Sequence, residues 1–290
     1  MHERVLFVAL IFLLAYALKL LRVFREEDAG AFINYVIYFS LPALVFGKVR
    51  EVELTADAVG VVLSAWLVIL FSLLISFIVG RLLQMEDRTL KAFVLVSSFG
   101  NTAFMGYPFT FALFGDEGLR YAVLYDQLGS FLLVVSVGFL IATGRFSLRE
   151  VILFPPFVAL LLALLSRPLE IPAFLSVFID TTGKSLIPVV LFSLGLKFSP
   201  KHLLDSIKNA LLTVSLKMLL VPLLVLVGLK TFGLDTLNYR VVLLESAMPP
   251  MVMAGVLAIK YGLDERLAVS AITLGILLSF FTVPLFLHLL

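Results

Sequence analysis

The stretch Ser97–Phe109, SSFGNTAFMGYPF, lies inside a long apolar run, and its reading decides the fold. It places Gly100, Asn101, Gly106 and Pro108 in quick succession. Glycine and proline are the poorest helix formers, and asparagine competes with the backbone for hydrogen bonds. A proline inside a helix also removes one hydrogen bond and crowds the preceding turn. In lipid, each freed backbone group costs several kcal/mol unless protein or a watery cavity covers it. The stretch therefore predicts an interrupted helix whose freed groups face a site rather than lipid.

The rest of the chain supplies the membrane context. Of 290 residues, 61% are hydrophobic and 14% charged, whereas soluble domains run nearer half apolar and about a quarter charged. The apolar residues come in blocks of about twenty, the length that spans a hydrocarbon core. No polar stretch is long enough for a sizeable soluble domain. The chain reads as an all-α polytopic membrane protein. Cysteine is absent, which excludes disulfides and thiolate metal sites. The three histidines, His2, His202 and His288, are scattered, so neither a metal site nor a cofactor is expected. A net charge of +2 carries no nucleic-acid signature. The first segment, RVLFVALIFLLAYALKLL, lacks a basic leader region and a small-residue cleavage site and reads as a retained helix.

Ten apolar segments are predicted, at about 4–21, 31–47, 58–80, 92–114, 119–143, 150–166, 182–197, 207–229, 239–260 and 268–288. Lysine and arginine set their orientation. Thirteen lie in the loops after odd-numbered segments, among them Lys19, Arg81, Arg145 and Lys197; eight lie on the opposite side, and Lys217 falls inside segment 8. The bias puts the odd loops in the cytoplasm and both termini outside the cytoplasm, in a cell inner membrane.

The two halves resemble each other, as repeat 1 over about 1–145 and repeat 2 over about 146–290. Segments 2 and 7 each carry a proline in an apolar run, Pro42 and Pro188. KAFVLVSSFGNTAFMGYP from Lys91 lies on RVVLLESAMPPMVMAGVL from Arg240 without a gap. Ser97 then meets Ser246, Gly100–Asn101 meet Pro249–Pro250, and Gly106 meets Gly255. Each run is followed by a glycine and an acidic loop, FGDEGLR and YGLDERL. Five segments per half is an odd number, so the second half must cross in the opposite sense. Inverted repeats of this kind are a signature of secondary transporters.

Asn101 lies ten residues past Lys91, roughly 15 Å along a helix and near the midplane. Pro249 and Pro250 reach similar depth from the other side. Half-helix ends meeting there would offer N–H groups to an anion and C=O groups to a cation. A single proline would read as a packing kink; its recurrence at matching places favours a substrate site of Gly100, Asn101, Thr102, Pro108, Ser246, Pro249 and Pro250. Ser97, Ser98, Tyr107 and Tyr125 are lesser candidates, because a hydroxyl often bonds its own helix.

GNTAFMGYPF with its acidic loop, and AMPPMVMAGVLAIKYG near the end, resemble the auxin efflux carrier family, prokaryotic members included. The resemblance covers nearly the whole chain. It implies a ten-helix fold shared with the bile acid:sodium symporters, two inverted five-helix repeats, and crossed broken helices 4 and 9. It implies a scaffold of segments 1, 2, 6 and 7 and a transport unit of segments 3–5 and 8–10, working by alternating access of the elevator type. The implied substrates are small organic anions, auxin-like acids or carboxylates. The long cytoplasmic loop of many plant members has no counterpart here. Oligomeric state is left open, a homodimer included.

Ionisable groups inside a membrane are costly and are functional candidates by default. Three stand out: Asp126, beside Gln127, in segment 5; Lys217 in segment 8; and Glu245 just before Pro249–Pro250. By resemblance Glu245 matches a sodium ligand of the symporters, and Asn101 a polar residue of their broken helix 4. A lysine in the same region is unwelcome to sodium. Its ammonium would instead neutralise Glu245 or Asp126, leaving sodium, a proton or no ion as the coupling partner; the rival reading is a snorkelling lysine with its head at an interface. Two other function classes compete with a transporter. A membrane enzyme needs a nucleophile–base pair or a metal cluster, and no such motif is present. An ion channel or membrane sensor would use the same broken helices and would show conductance in a planar bilayer. Reporters fused after Arg145 and at Leu290 should label opposite sides of the membrane; cytoplasmic signal from both would overturn the ten-segment count.

Overall fold

Apolar runs punctuated by charged turns fold here as helices, because only helices and closed barrels satisfy every backbone group in lipid. The computed structural model describes residues 2–53, 55–145, 149 and 152–289, and no strand occurs among them. In chain order the helices are α1 (His2–Leu20), α2 (Glu26–Glu51), α3 (Ala56–Leu82), α4 (Asp87–Ser98), α5 (Thr102–Thr143), α6 (Pro155–Leu165), α7 (Ala173–Lys197), α8 (Ile207–Phe232), α9 (Leu237–Ser246), α10 (Val252–Lys260) and α11 (Glu265–Leu289). Six of these, α2, α3, α5, α7, α8 and α11, are long and apolar enough to cross a membrane. The protein is therefore a multi-pass membrane protein.

Most boundaries fall within a few residues of the predicted segments. Segment 7 differs most: its helix begins at Ala173, nine residues before the predicted 182. The added turns carry the polar Asp180, which pairs with Lys184 at i,i+4 and 2.7 Å. Residues 150 and 151, the predicted start of segment 6, and Leu290 lie outside the described residues. The helix of segment 6 starts at Pro155, whose missing N–H is no loss in a first turn.

Three prolines in the long helices follow a widened turn, whereas Pro284 lies in an ordinary stretch of α11. Wide π turns at Val36–Ser40, Thr102–Gly106 and Leu216–Leu220 each end two residues before a proline, Pro42, Pro108 and Pro222. A proline ring clashes with the carbonyl four residues back, which in each case is the middle residue of the π turn. The wider turn makes room for the ring while the helix continues.

Glycine makes the sharp corner between predicted segments 4 and 5. Gly115 has φ +68°, so α5 breaks direction there, between its parts 102–114 and 116–143. Only glycine adopts that region without cost. Gly262, in the acidic loop after α10, has φ +66°. Asp264 then caps α11 through the Leu267 amide at 3.0 Å, while its other oxygen accepts from Thr89 Oγ1 at 2.9 Å.

Packing falls into two groups. α1 packs on α7, and α2 on α6 and α7. α3 packs on α4 and on the later part of α5, and α8, α10 and α4 pack on α11. Of the two large buried clusters, the first joins α1, α2, α6 and α7 to parts of α5, α9 and α11, and the buried members of the second stay within the second group. One is built around Phe12, Leu44, Leu160 and Leu191, the other around Phe93, Phe131, Met218 and Leu267. Outward-facing apolar side chains such as Leu67, Leu74 and Leu223 give the surface that lipid requires.

The α1–α7 contact depends on Gly195. A Cβ there would collide with the Phe12 carbonyl oxygen and come to 2.7 Å from Ala15 Cβ. Gly195→Val should therefore destabilise the fold by about 1–3 kcal/mol, read as a lowered melting temperature in detergent. Gly228 is the control, since a Cβ on it would meet nothing within 4 Å. Gly228→Ala should be neutral or gain roughly 0.5–1 kcal/mol.

Candidate functional site

The site is built where two helices stop. α4 ends at Ser98 and α5 begins at Thr102; α9 ends at Ser246 and α10 begins at Val252. Phe99 and Met251 are extended, with φ/ψ of −95°/124° and −70°/130°. Residues 99–101 and 249–251 pair as a short antiparallel bridge centred on Gly100 and Pro250. The Asn101 amide donates to the Pro249 carbonyl at 2.8 Å, and the Met251 amide to the Phe99 carbonyl at 2.9 Å. Pro249 and Pro250 bring no N–H to this buried place, so the break leaves fewer donors to satisfy.

The junction closes tightly from several sides. A Cβ at Gly275 of α11 would collide with the Pro250 ring. A Cβ on Gly100 would lie 3.1 Å from Lys217 Nζ and 3.5 Å from the Glu245 carbonyl oxygen. A Cβ on Gly106 would run into the Glu245 carboxylate. The glycines are there because side chains from other helices take the space a Cβ would need.

Five buried charged or amide side chains surround this junction or its neighbouring turns. Asp126, 2% exposed, accepts from Tyr107 Oη at 2.9 Å, from Gln127 Nε2 at 2.7 Å and from Thr102 Oγ1. Glu245, 1% exposed, accepts from Thr110 Oγ1 at 2.8 Å, and its second carboxylate oxygen has no partner among the described residues. Lys217, 2% exposed, donates from Nζ to the Ser246 carbonyl at 2.7 Å. That carbonyl belongs to the last residue of α9, where the helix dipole is negative. Asn101 is 3% exposed, and its Nδ2 has no acceptor among the described residues.

The sequence-predicted residues gather here to different degrees. Gly100, Asn101, Pro249 and Pro250 form the bridge itself. Thr102, Asp126 and Gln127 share one hydrogen-bonded group, and Glu245, Ser246 and Lys217 stand at the end of α9. Ser246 contributes its carbonyl, while its hydroxyl bonds back to Leu243 O at 2.7 Å. Pro108 is buried one turn into α5 and takes no part in the bridge. Tyr107 joins the Asp126 group, and Ser98 bonds Ser76 at 3.0 Å. Among the described residues no ion pair within 4 Å involves Lys217; its ammonium and the Glu245 carboxylate attract each other only at longer range. A backbone carbonyl takes the ammonium because α9 ends facing it. Snorkelling is excluded by the burial of Lys217 and by its inward partner.

Thr110 was missed. Its signal is helical spacing, since Thr102, Gly106 and Thr110 follow at i, i+4 and i+8 and share one face. Also unread in the sequence was a charged seam at the end of α2. Lys48 Nζ lies 2.5 Å from Asp116 Oδ1 and 3.5 Å from Glu51, and Arg120 bonds Glu51 at 3.0 Å. Beside it a cavity of about 370 Å³ opens between α2, the Gly115 corner and α7, lined by Gly47, Lys48, Leu119, Asp180 and Lys184 among others. It is separate from the junction. Outside the membrane-spanning helices, hydrogen bonds from Arg240 hold the Asp235 carboxyl below its ordinary range.

A family model described as membrane transport protein matches the chain over residues 1–147 and 140–287. The chain belongs to that family. It is the membrane transport family of the auxin efflux carriers, which the motifs around Asn101 and Pro249–Pro250 resemble. A relative from Methanothermobacter thermautotrophicus, described as an uncharacterized transporter, is 30% identical over 98% of this chain and 96% of its own length. A second, from Methanocaldococcus jannaschii and described in the same words, is 28% identical over 97% of this chain and 96% of its own. A transporter is thus the function class that the family and both relatives support.

Thr110→Val keeps the shape of the side chain and removes the one side-chain donor to Glu245 found among the described residues. A buried acceptor left unmatched costs about 1–3 kcal/mol, so the variant should melt below wild type in detergent. Thr110→Ser, which keeps the hydroxyl, should restore most of the loss.

Proposed function

We propose that this protein is a secondary transporter that carries a small organic anion, an auxin-like acid or another carboxylate, across the cell inner membrane. The observation that carries this reading is the buried Asn101 amide at the paired junction, with Nδ2 lacking an acceptor among the described residues. A buried donor is rarely left unpaired, and a carboxylate arriving beside the N-terminal turn of α5 would supply the acceptor. The bound anion would rest on Asn101, with Gly100, Thr102, Pro108, Ser246, Pro249 and Pro250 shaping the surroundings. Glu245, Lys217, Asp126 and Gln127 set the charge balance.

Several features support ten crossings in two inverted repeats. The six long helices count as seven crossings when α5 is divided at Gly115 and its first part joined to α4. The shorter α1 and α6, and α9 with α10, bring the count to ten. The bridge between 99–101 and 249–251 is antiparallel, as opposite crossing senses require. Gly115 and Gly262 both hold positive φ in the acidic loops that follow. In this reading the crossed broken helices are α4 with the start of α5, and α9 with α10.

The two packing groups support a scaffold of segments 1, 2, 6 and 7 and a transport unit of segments 3–5 and 8–10. The cavity and the Lys48–Asp116 pair lie on the seam between them, where an elevator-type movement would open a path. The lysine and arginine bias supports both termini facing away from the cytoplasm. No cofactor is invoked, and the family's membership of transporters supports a protein that is not an enzyme.

Asn101→Ala tests the site in proteoliposomes loaded with a panel of labelled carboxylates, including indole-3-acetate, benzoate and malate. Removing a buried partner costs roughly 1–3 kcal/mol, or about 5- to 150-fold in affinity. The variant should express and melt like wild type yet bind and transport poorly. Transport at the wild-type rate with unchanged apparent affinity would place the site elsewhere.

A further inference from the structure

Lys217 is the buried cation of the junction, and its surroundings are those of an ion site. Its Nζ donates to the Ser246 carbonyl at 2.7 Å. The Glu245 carbonyl comes within 3.5 Å of the same point beside Gly100 that lies 3.1 Å from Nζ. These are the last carbonyls of α9, at the negative end of its dipole. The Glu245 side chain, on the same turn, keeps one buried oxygen without a donor among the described residues. Carbonyl and carboxylate oxygens are hard ligands of the kind that replace the hydration shell of an alkali cation. The stem of Lys217 passes alongside Gly100, with Cε 3.2 Å from where a Cβ would stand, so a larger residue at 100 would push the ammonium away. The lysine is held in the π turn Leu216–Leu220 by Pro222, which fixes the direction of its stem.

We propose that Lys217 is a tethered cation: its ammonium occupies the place at the end of α9 that a free monovalent cation would otherwise take. Transport then needs no sodium, because the positive charge that balances the buried carboxylates is part of the chain. Removing the lysine side chain should open a site for sodium. This deepens the transport reading, since it takes the junction as the working site.

The test uses the purified full chain in detergent with no organic anion present, comparing sodium chloride with choline chloride at equal ionic strength. Wild type should melt at the same temperature in both salts. Lys217→Ala should gain a saturable, sodium-specific rise, about 3 °C at a sodium concentration roughly ten times its dissociation constant. Lys217→Arg, which keeps the charge, should show no such rise. Lys217→Gln is the milder second variant. Should either neutral variant stay folded only in sodium, the proposal is supported. A sodium-specific rise in wild type would overturn it, as would folded neutral variants that respond alike to both salts or neutral variants that fail to fold in either salt. Asn101→Ala should keep the wild-type indifference to sodium, so failure of the anion reading and failure of this one are told apart.

Discussion

Everything at the centre of this protein answers one constraint: a backbone that leaves its helix inside a membrane must still find hydrogen-bond partners. Residues 99–101 meet the requirement by pairing with residues 249–251. Neither break is sustainable alone, because each supplies the other's donor or acceptor. The prolines reduce the demand by bringing no N–H, and Gly100 and Gly275 let helices approach closely enough for the pairing to form. A chain with only one of the two interruptions would leave buried groups unmet, so the halves are coupled through their weakest points.

The charges near the junction follow the same logic. Burying an ion pair costs desolvation of both partners, and breaking it later leaves an uncompensated charge. Here each ion is held mainly by neutral groups. Asp126 takes hydroxyl and amide donors, Glu245 a threonine, and Lys217 a carbonyl. The hydroxyl donors sit on the first two turns of α5, so Asp126 and Glu245 tie that half-helix to the later part of α5 and to the end of α9. The start of α5 is thereby fixed relative to the bridge.

Proline acts elsewhere as a shaping element rather than a breaker. At Pro42, Pro108 and Pro222 the preceding turn widens around the carbonyl that the ring would strike. The helix continues, and residues in the widened turn are turned out of the ordinary register. Lys217 is one of them. Its reach to the end of α9 thus depends on a proline five residues downstream as well as on its own length.

Much of this was written in the sequence by itself. Twenty-residue apolar blocks dictated a helical membrane protein, since lipid allows few alternatives. Gly100-Asn101 and Pro249-Pro250 marked the two interruptions, because poor helix formers stand side by side there and recur at matching places in the two halves. Burial of charge marked Asp126, Lys217 and Glu245. What the tertiary structure alone decided is which group answers which. Helix α7 begins nine residues ahead of the predicted 182, through a polar turn in which Asp180 pairs with Lys184. Thr110 was one hydroxyl among many until α9 brought Glu245 to it. Lys217 faces a carbonyl instead of a carboxylate because partner choice depends on where α9 ends relative to the stem of α8. Local propensity acts within a few residues and is legible in one dimension; the pairing of groups more than a hundred residues apart is a matter of distance in space.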